Sequence, residues 1–246
     1  MKKLVLIALL ALSPLVAQAE EGGAMLTANT DISNTASLQR GAKYFANYCM
    51  GCHSAQYVRY NRLGADLGLT DTQLENYLMP TGGAKPSDTM VSAMPPEDAE
   101  KWFGRAPPDL TLEARSRGAD WIYSYLKSFY PDPKAATGAN NLILPNAAMP
   151  NVLWELQGLQ QPVYRTEKDE DGNSRQVFDH FEQLSQGKLT PAQFDQVAMD
   201  LTNFLSYTAE PIQLERRTLG LKVIGFLILF FLFAFMLKRE IWKDVH

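Results

Sequence analysis

The sequence predicts a mostly α-helical, exported domain with long ordered loops, followed by one C-terminal transmembrane helix. Three observations predict this arrangement: an export signal at the N-terminus, apolar residues at helical spacing in several internal segments, and an uninterrupted apolar stretch near the C-terminus. About 200 residues lie between the two ends, which is enough for one domain with a substantial core.

Residues 1–19 have the pattern of a signal peptide that is removed after export. Lys2 and Lys3 precede an apolar run over 4–12, and small side chains at Ala17 and Ala19 come before the predicted cleavage point. The run is too short to span a bilayer comfortably. We therefore expect residues 20–214 to form a domain outside the cytoplasm.

Residues 215–240 are predicted to cross the membrane, because 223–237 contain no charged or polar side chain. Lys238 and Arg239 follow at once, which is typical of the cytoplasmic side of a span. Residues 241–246 would then be a short cytoplasmic tail.

The charge of the chain is unevenly distributed. The full chain carries −4, and removal of Lys2 and Lys3 leaves −6. Residues 222–246 hold four basic side chains (Lys222, Lys238, Arg239 and Lys243) and two acidic ones (Glu240 and Asp244), so the exported part of the chain before Lys222 is at −8. Such a domain is a poor nucleic-acid binder and could dock a basic partner, although the charge could equally serve solubility alone.

Several segments of the exported domain have the spacing or the end signals of helices. Thr70 and Gln73 form a predicted capping box, Gly118 separates two helical patterns, and Thr190 with Pro191 starts the clearest helix. The predicted helices run from near Ser37 through the cysteines, from Thr70 to before Pro80, over 97–103, 110–117, 120–130 and 152–159, and onward from Thr190. Pro211 separates the last of these from the membrane span. A hairpin is predicted between 163–166 and 176–181, across the acidic turn 167–172.

The segment Cys49-Met50-Gly51-Cys52-His53 supplies two thiols and an imidazole at the spacing required for covalent haem attachment. The cysteines can form thioethers with one edge of the porphyrin while His53 approaches the iron. The sequence therefore predicts one haem c, in a cytochrome c-like haem domain.

Other interpretations of the cysteine pair are weaker. A structural zinc site needs about four ligands, yet these are the only cysteines, and the only other histidines are His180 and His246. A thioredoxin-like pair is expected after a strand, whereas the residues before Cys49 have helical spacing. A disulfide between Cys49 and Cys52 would close too small a loop to stabilise much.

The sixth ligand of a high-potential electron-transfer haem is usually a methionine. Met79, Met94 and Met149 are candidates, and each precedes a proline that favours extended backbone at the methionine. The residues alone leave the three open, with Met79 slightly disfavoured as the end of a helix.

The chain resembles the cytochrome c1 family, the haem subunits of quinol–cytochrome c oxidoreductase (bc1) complexes, in the compact bacterial form. The resemblance covers almost the whole mature chain and ends with the single C-terminal anchor. Besides the cysteine motif, it rests on QRGAKYF at 39–45, RYN at 59–61, APPDL at 106–110 with Arg115 and Arg117, and NAAMPNVLWEL at 146–156.

The resemblance implies that Met149 is the sixth ligand, with Met94 as the fallback. It also implies that Pro108 lines the haem and that Arg115 or Arg117 holds the propionates, with Arg115 favoured. Residue 151 departs from the family, being Asn where many relatives have a histidine, and the extra cysteines of some members are absent.

The implied partners are cytochrome b and the Rieske iron–sulfur subunit, with a soluble or anchored cytochrome c as acceptor, in a complex that is dimeric. The resemblance places the haem domain on the periplasmic side of a bacterial inner membrane, with the C-terminus cytoplasmic. The subunit would move electrons without substrate chemistry of its own. An anchored monohaem cytochrome of another oxidase or dehydrogenase, or a tethered thiol–disulfide oxidoreductase, is the alternative.

Overall fold

The computed structural model describes residues 25–80, 82–168 and 173–243. The predicted signal peptide at 1–19 lies outside the described residues, as does the middle of the acidic turn at 169–172. The described residues form helices, long loops and three two-stranded antiparallel sheets, and helices predominate. The predicted fold class is confirmed.

The first helix carries the chain to the cysteine pair. Helix α1 (Thr35–Tyr44) is capped by Asn34, whose side chain accepts a hydrogen bond from the Ser37 N–H at 3.1 Å. It continues as a wider π-helical turn (Phe45–Cys49), which the Met50 N–H closes on the Phe45 carbonyl at 2.9 Å. The predicted helix leading into the motif is therefore confirmed, and Cys49 is its last residue.

The remaining elements alternate short helices with hairpins. In chain order they are β1 (Ala55–Arg59), α2 (Tyr60–Leu67), α3 (Asp71–Tyr77), β2 (Thr89–Met90), α4 (Pro96–Phe103), α5 (Glu113–Ser116), α6 (Ala119–Lys127), β3 (Phe129–Pro131), β4 (Ala139–Asn141), α7 (Trp154–Gln157), β5 (Gly158–Lys168), β6 (Ser174–Gln186), α8 (Pro191–Ala209) and α9 (Gln213–Ile241). The sheets pair β1 with β2, β3 with β4, and β5 with β6.

Helices α1 and α8 form the centre of the core. Their close approach depends on Gly41, because a Cβ there would overlap the backbone oxygen of Asp200 and lie 2.7 Å from the Cβ of Phe204. The carboxylate of Asp200, almost fully buried, accepts hydrogen bonds from Ser37 Oγ and Arg40 Nε, both at 2.6 Å. The ring centroids of Phe45 and Phe204 lie 5.4 Å apart within the same interface.

Two predicted helices are shorter than expected, and their hydrogen bonds explain why. The pattern at 110–117 yields a helix only over Glu113–Ser116, because the Leu110 N–H donates to the Ser54 carbonyl at 2.8 Å and the Thr111 N–H to the Asp109 carboxylate. The pattern at 120–130 ends at Lys127, and the next residues form a strand.

The predicted hairpin is confirmed and is longer than expected. β5 and β6 pair from Gly158 with Gln186 to Lys168 with Ser174. Because β5 begins at Gly158, the helix predicted over 152–159 covers only Trp154–Gln157. α2 was not predicted, although Tyr60, Leu63 and Leu67 are buried at helical spacing.

Helix α9 has 29 residues, none of them buried, and is long and apolar enough to cross a membrane. At 1.5 Å per residue it extends about 43 Å, which exceeds the hydrocarbon thickness of a bilayer. Only Glu210, Pro211 and Ile212 separate it from α8.

Candidate haem site

A largely apolar cavity of about 400 Å³ opens where the cysteine motif, the loop before α5, helix α6 and the loop before α7 meet. This volume falls within the usual range of ligand sites. Leu201 and Leu205 of α8 add part of the wall. The residues predicted for the site that line this cavity are Cys49, Cys52, His53, Pro108, Arg117 and Met149.

The cysteine motif forms a tight turn at the end of the π-helical segment. The N–H groups of Cys52 and His53 both donate to the Cys49 carbonyl, at 3.0 and 2.8 Å. This turn presents two free thiols and one imidazole to the same cavity. Burial raises the pKa of Cys49 to about 12 and also raises that of Cys52.

The imidazole of His53 is oriented by the backbone of Pro108. Its Nδ1 lies 2.7 Å from the Pro108 carbonyl oxygen. A carbonyl can only accept a hydrogen bond, so Nδ1 carries the proton and Nε2 keeps a free lone pair. Burial lowers the pKa of His53, against the opposing effect of the Pro108 carbonyl.

Met149 lies in the loop that follows β4, on the same cavity, and its Sδ is 3.5 Å from the hydroxyl of Tyr125. The two competing methionines lie elsewhere. Met79 packs, partly buried, against the hydrophobic core, and Met94 is half-buried beside Ser92. Of the three Met-Pro sites, all within the described residues, Met149 alone lines the cavity with His53.

Four side chains spaced four residues apart form one wall, which we call the side-chain ladder: Glu113, Arg117, Trp121 and Tyr125. The Arg117 guanidinium forms an ion pair with Glu113 and lies 4.3 Å from the centre of the Trp121 ring. The Trp121 and Tyr125 rings are stacked, with centroids 4.9 Å apart. Burial raises the pKa of Tyr125 to about 12.

The two arginines proposed for the propionates differ in position. Both are exposed to solvent, but Arg117 also lines the cavity, whereas Arg115 does not. Arg105, which the sequence did not single out, does line the cavity, next to Pro107. The four-residue spacing of the ladder was readable in the sequence, whereas nothing in the sequence distinguished Arg105 from a surface charge.

The donor chemistry of the cavity fits a covalently held haem. Two thiols, an oriented imidazole and a thioether all line it, together with many apolar side chains. Arginine side chains are present to pair with carboxylates. When bound, haem supplies an iron that changes between Fe(II) and Fe(III) and so carries one electron at a time.

Comparison with known proteins agrees with this chemistry. The model of the Cytochrome C1 family matches residues 28–245. Cytochrome c1 of Allochromatium vinosum is 48% identical and covers 100% of both chains, and the mitochondrial cytochrome c1 haem protein of Saccharomyces cerevisiae is 28% identical over 85% of this chain and 67% of its own. A protein of Nitrosomonas europaea named ammonia monooxygenase gamma subunit is 40% identical over 100% of this chain and 99% of its own.

Both the family model and the full-length similarity meet the expectation drawn from the motifs. Proteins of this family are membrane-anchored, carry a single covalently bound haem c and serve electron transport in the respiratory chain. The chain belongs to the cytochrome c1 family.

Proposed function

We propose that this chain is the cytochrome c1 subunit of a bc1 complex, accepting one electron at a time from the Rieske iron–sulfur subunit and passing it to a mobile cytochrome c. Cytochrome b would be its neighbour in the membrane, and the complex would be dimeric. The observation that carries the proposal is the cavity itself, since both cysteines, His53 and Met149 line it together.

In this proposal each group has one task. Cys49 and Cys52 form the thioether bonds, while His53 presents Nε2 because Pro108 holds Nδ1. Met149 would supply its thioether sulfur to the same iron. Arg117 pairs with a propionate, and Arg105 joins it or takes the place given to Arg115 by the resemblance.

We propose the acidic side of α4 as the docking surface for a basic cytochrome c. Glu97 and Asp98 lie in the first turn of this helix, Glu100 lies in the next, and Phe103 at its end lines the haem cavity. The acidic turn at 167–172 is the other candidate for this role. Both segments contain an ion pair, Asp98 with Lys101 at 3.1 Å and Glu167 with Arg165 at 2.7 Å, so the position of Phe103 on the cavity wall is what favours α4.

The orientation proposed for the chain keeps the haem domain on the periplasmic side of a bacterial inner membrane. The export signal predicted at 1–19 and the basic residues Lys238 and Arg239 after the apolar stretch support this orientation. The haem would then lie on the side of the membrane where a soluble cytochrome c moves.

The test is purification of the complex from membranes in mild detergent. We expect a reduced-minus-oxidised spectrum of c-type haem, a positive pyridine haemochrome assay on the denatured chain, and co-purification with cytochrome b and a Rieske protein. Absence of covalent haem would reject the haem assignment.

Covalent haem without cytochrome b and the Rieske protein would instead favour the second candidate, an anchored cytochrome serving another oxidase or dehydrogenase. This candidate is favoured by the similarity, over almost the full length of both chains, to the protein named ammonia monooxygenase gamma subunit. Thiols that react with an alkylating reagent in the purified protein would point to thiol–disulfide chemistry.

A further inference from the structure

We propose that Tyr125 is a positioning residue for the electron-transfer reaction: its phenol donates a hydrogen bond to Sδ of Met149 and so raises the reduction potential of the haem. This inference rests on the assignment of Met149 as an iron ligand in the proposed function.

Only the phenol can be the donor in this hydrogen bond. The Tyr125 hydroxyl oxygen lies 3.5 Å from Met149 Sδ, within the normal range for a hydrogen bond to sulfur. A thioether sulfur has no proton to give, so the phenol is the donor. A phenol keeps its proton throughout the physiological pH range.

The ring that carries this hydroxyl is held on both sides. Tyr125 stacks on Trp121 at an interplanar angle of 10°, and its edge contacts the Phe129 ring at 5.0 Å between centroids. These contacts fix the plane of the ring, so the hydroxyl has little freedom to choose another partner.

The backbone near Tyr125 is also tied to the segment that leads to Met149. The side-chain amide of Asn141, a fully buried residue, donates to the Tyr125 carbonyl at 2.8 Å. Its Oδ1 accepts hydrogen bonds from the N–H groups of Ile143 and Leu144, at 2.9 and 3.1 Å. One side chain thus connects the helix of the donor with the loop of the acceptor.

The expected effect follows from the electron demand of the sulfur. A thioether sulfur has two lone pairs. If one of them binds iron, the other can still accept a hydrogen bond from the phenol. A sulfur that accepts a hydrogen bond donates less electron density to iron. This destabilises Fe(III) more than Fe(II), so the reduction potential rises. Groups around a ligand tune a metal centre in this way.

The decisive variant is Tyr125→Phe in the full complex, since it keeps both ring contacts and removes only the hydroxyl. We expect a three- to tenfold shift toward Fe(III) at fixed electrode potential, which is a potential lower by about 30 to 60 mV for a one-electron couple. The weak red absorption band of the methionine–iron bond should shift at the same time.

Tyr123→Phe is the matched control on the same helix. The Tyr123 hydroxyl is bonded to Asp195 and Lys127 and is not on the cavity wall. We expect its removal to leave the potential and the red band unchanged. An equal shift in Tyr123→Phe would overturn the proposal, because the effect would then be a general one of losing a tyrosine from α6.

A double-mutant cycle with Met149→Leu separates this inference from the proposed ligand. If Tyr125 acts through the sulfur, Tyr125→Phe has no further effect in the Met149→Leu background. If Met149→Leu alters the potential and Tyr125→Phe does not, the ligand assignment stands and the inference fails. If Met149→Leu changes neither potential nor red band, the ligand assignment fails and the inference fails with it.

Discussion

His53 depends on a single backbone atom for the direction of its ring. Because the Pro108 oxygen that fixes Nδ1 belongs to the main chain, no side chain at 108 is needed for the bond. The ring of Pro108 fixes its φ, which restricts the positions that this carbonyl can take. The motif identified the histidine and the family resemblance placed Pro108 beside the haem, but the hydrogen bond between these two residues, 55 positions apart, required the fold.

Replacing Met149 with leucine removes the sulfur while keeping an apolar side chain of similar size. We expect the Fe(III)/Fe(II) ratio at fixed potential to rise by two orders of magnitude, which is roughly 120 mV on the one-electron scale. A redox titration of the purified complex measures it. Met94→Leu is the matched control, and a drop confined to that variant would return the ligand role to Met94.

Arg117→Gln tests which arginine balances the haem carboxylates. Loss of a positive charge at the cavity wall favours Fe(III), and the side chain is 44% exposed, so screening by water keeps the effect modest. We expect a fall of roughly 30 mV, or a threefold change in the Fe(III)/Fe(II) ratio. Arg115→Gln should have little effect, and the opposite ranking would favour Arg115.

The site residues fall into two groups by how far the sequence could identify them. The sequence identifies Cys49, Cys52 and His53, because haem attachment needs these three residues within one short motif. The residues alone left three Met-Pro sites open, with Met79 slightly disfavoured. The family resemblance favoured Met149, and its position on the cavity wall distinguishes it from Met79 and Met94. Such a choice depends on which loops fold over one another, which short-range patterns do not record.

At the scale of elements, the pair α1 and α8 supports the haem cavity. α1 leads into the cysteine turn, and Leu201 and Leu205 of α8 contribute to the cavity wall. The two helices are joined by the buried Asp200, which bonds side chains 160 and 163 residues earlier in the chain. A displacement of α8 would therefore reach both the cavity wall and the cysteine turn.

Gly41→Ala should separate these two helices. The added methyl group would meet the backbone of Asp200, which cannot rotate away, so we expect a loss of about 3 kcal/mol or more in the free energy of unfolding. Chemical denaturation of the haem-loaded protein measures this loss. Gly82→Ala is the control, because a Cβ at Gly82 meets nothing within 4 Å, and equal losses in both variants would contradict the packing argument.

Elements with strong local end signals were predicted well. Thr70 forms the predicted capping box with Gln73, and Thr190, predicted to start its helix, forms one with Gln193. The predicted helices are too long where the backbone forms hydrogen bonds with residues distant in the sequence. Phe129–Pro131 leaves its predicted helix to pair with Ala139–Asn141, and Leu110 gives its N–H to Ser54.

At the scale of the whole molecule, the acidic exported domain should attract a basic electron acceptor. We expect the rate of cytochrome c reduction to fall roughly tenfold as salt rises from low to physiological strength. Changing Glu97, Asp98 and Glu100 to their amides should flatten this dependence, while Glu167→Gln should not. Stopped-flow kinetics would measure both, and a flat response in the unmodified protein would exclude electrostatic steering.

No residue of helix α9 is fully buried, and three residues join it to α8. A chain ended after Leu214 should therefore be soluble, with an unchanged haem spectrum and potential, and a shifted spectrum would show that α9 supports the fold. Electron delivery to this soluble domain should nevertheless become second-order, requiring about millimolar protein to match the complex. The anchor thus acts as a tether, replacing diffusion in three dimensions by a high effective concentration at the membrane surface.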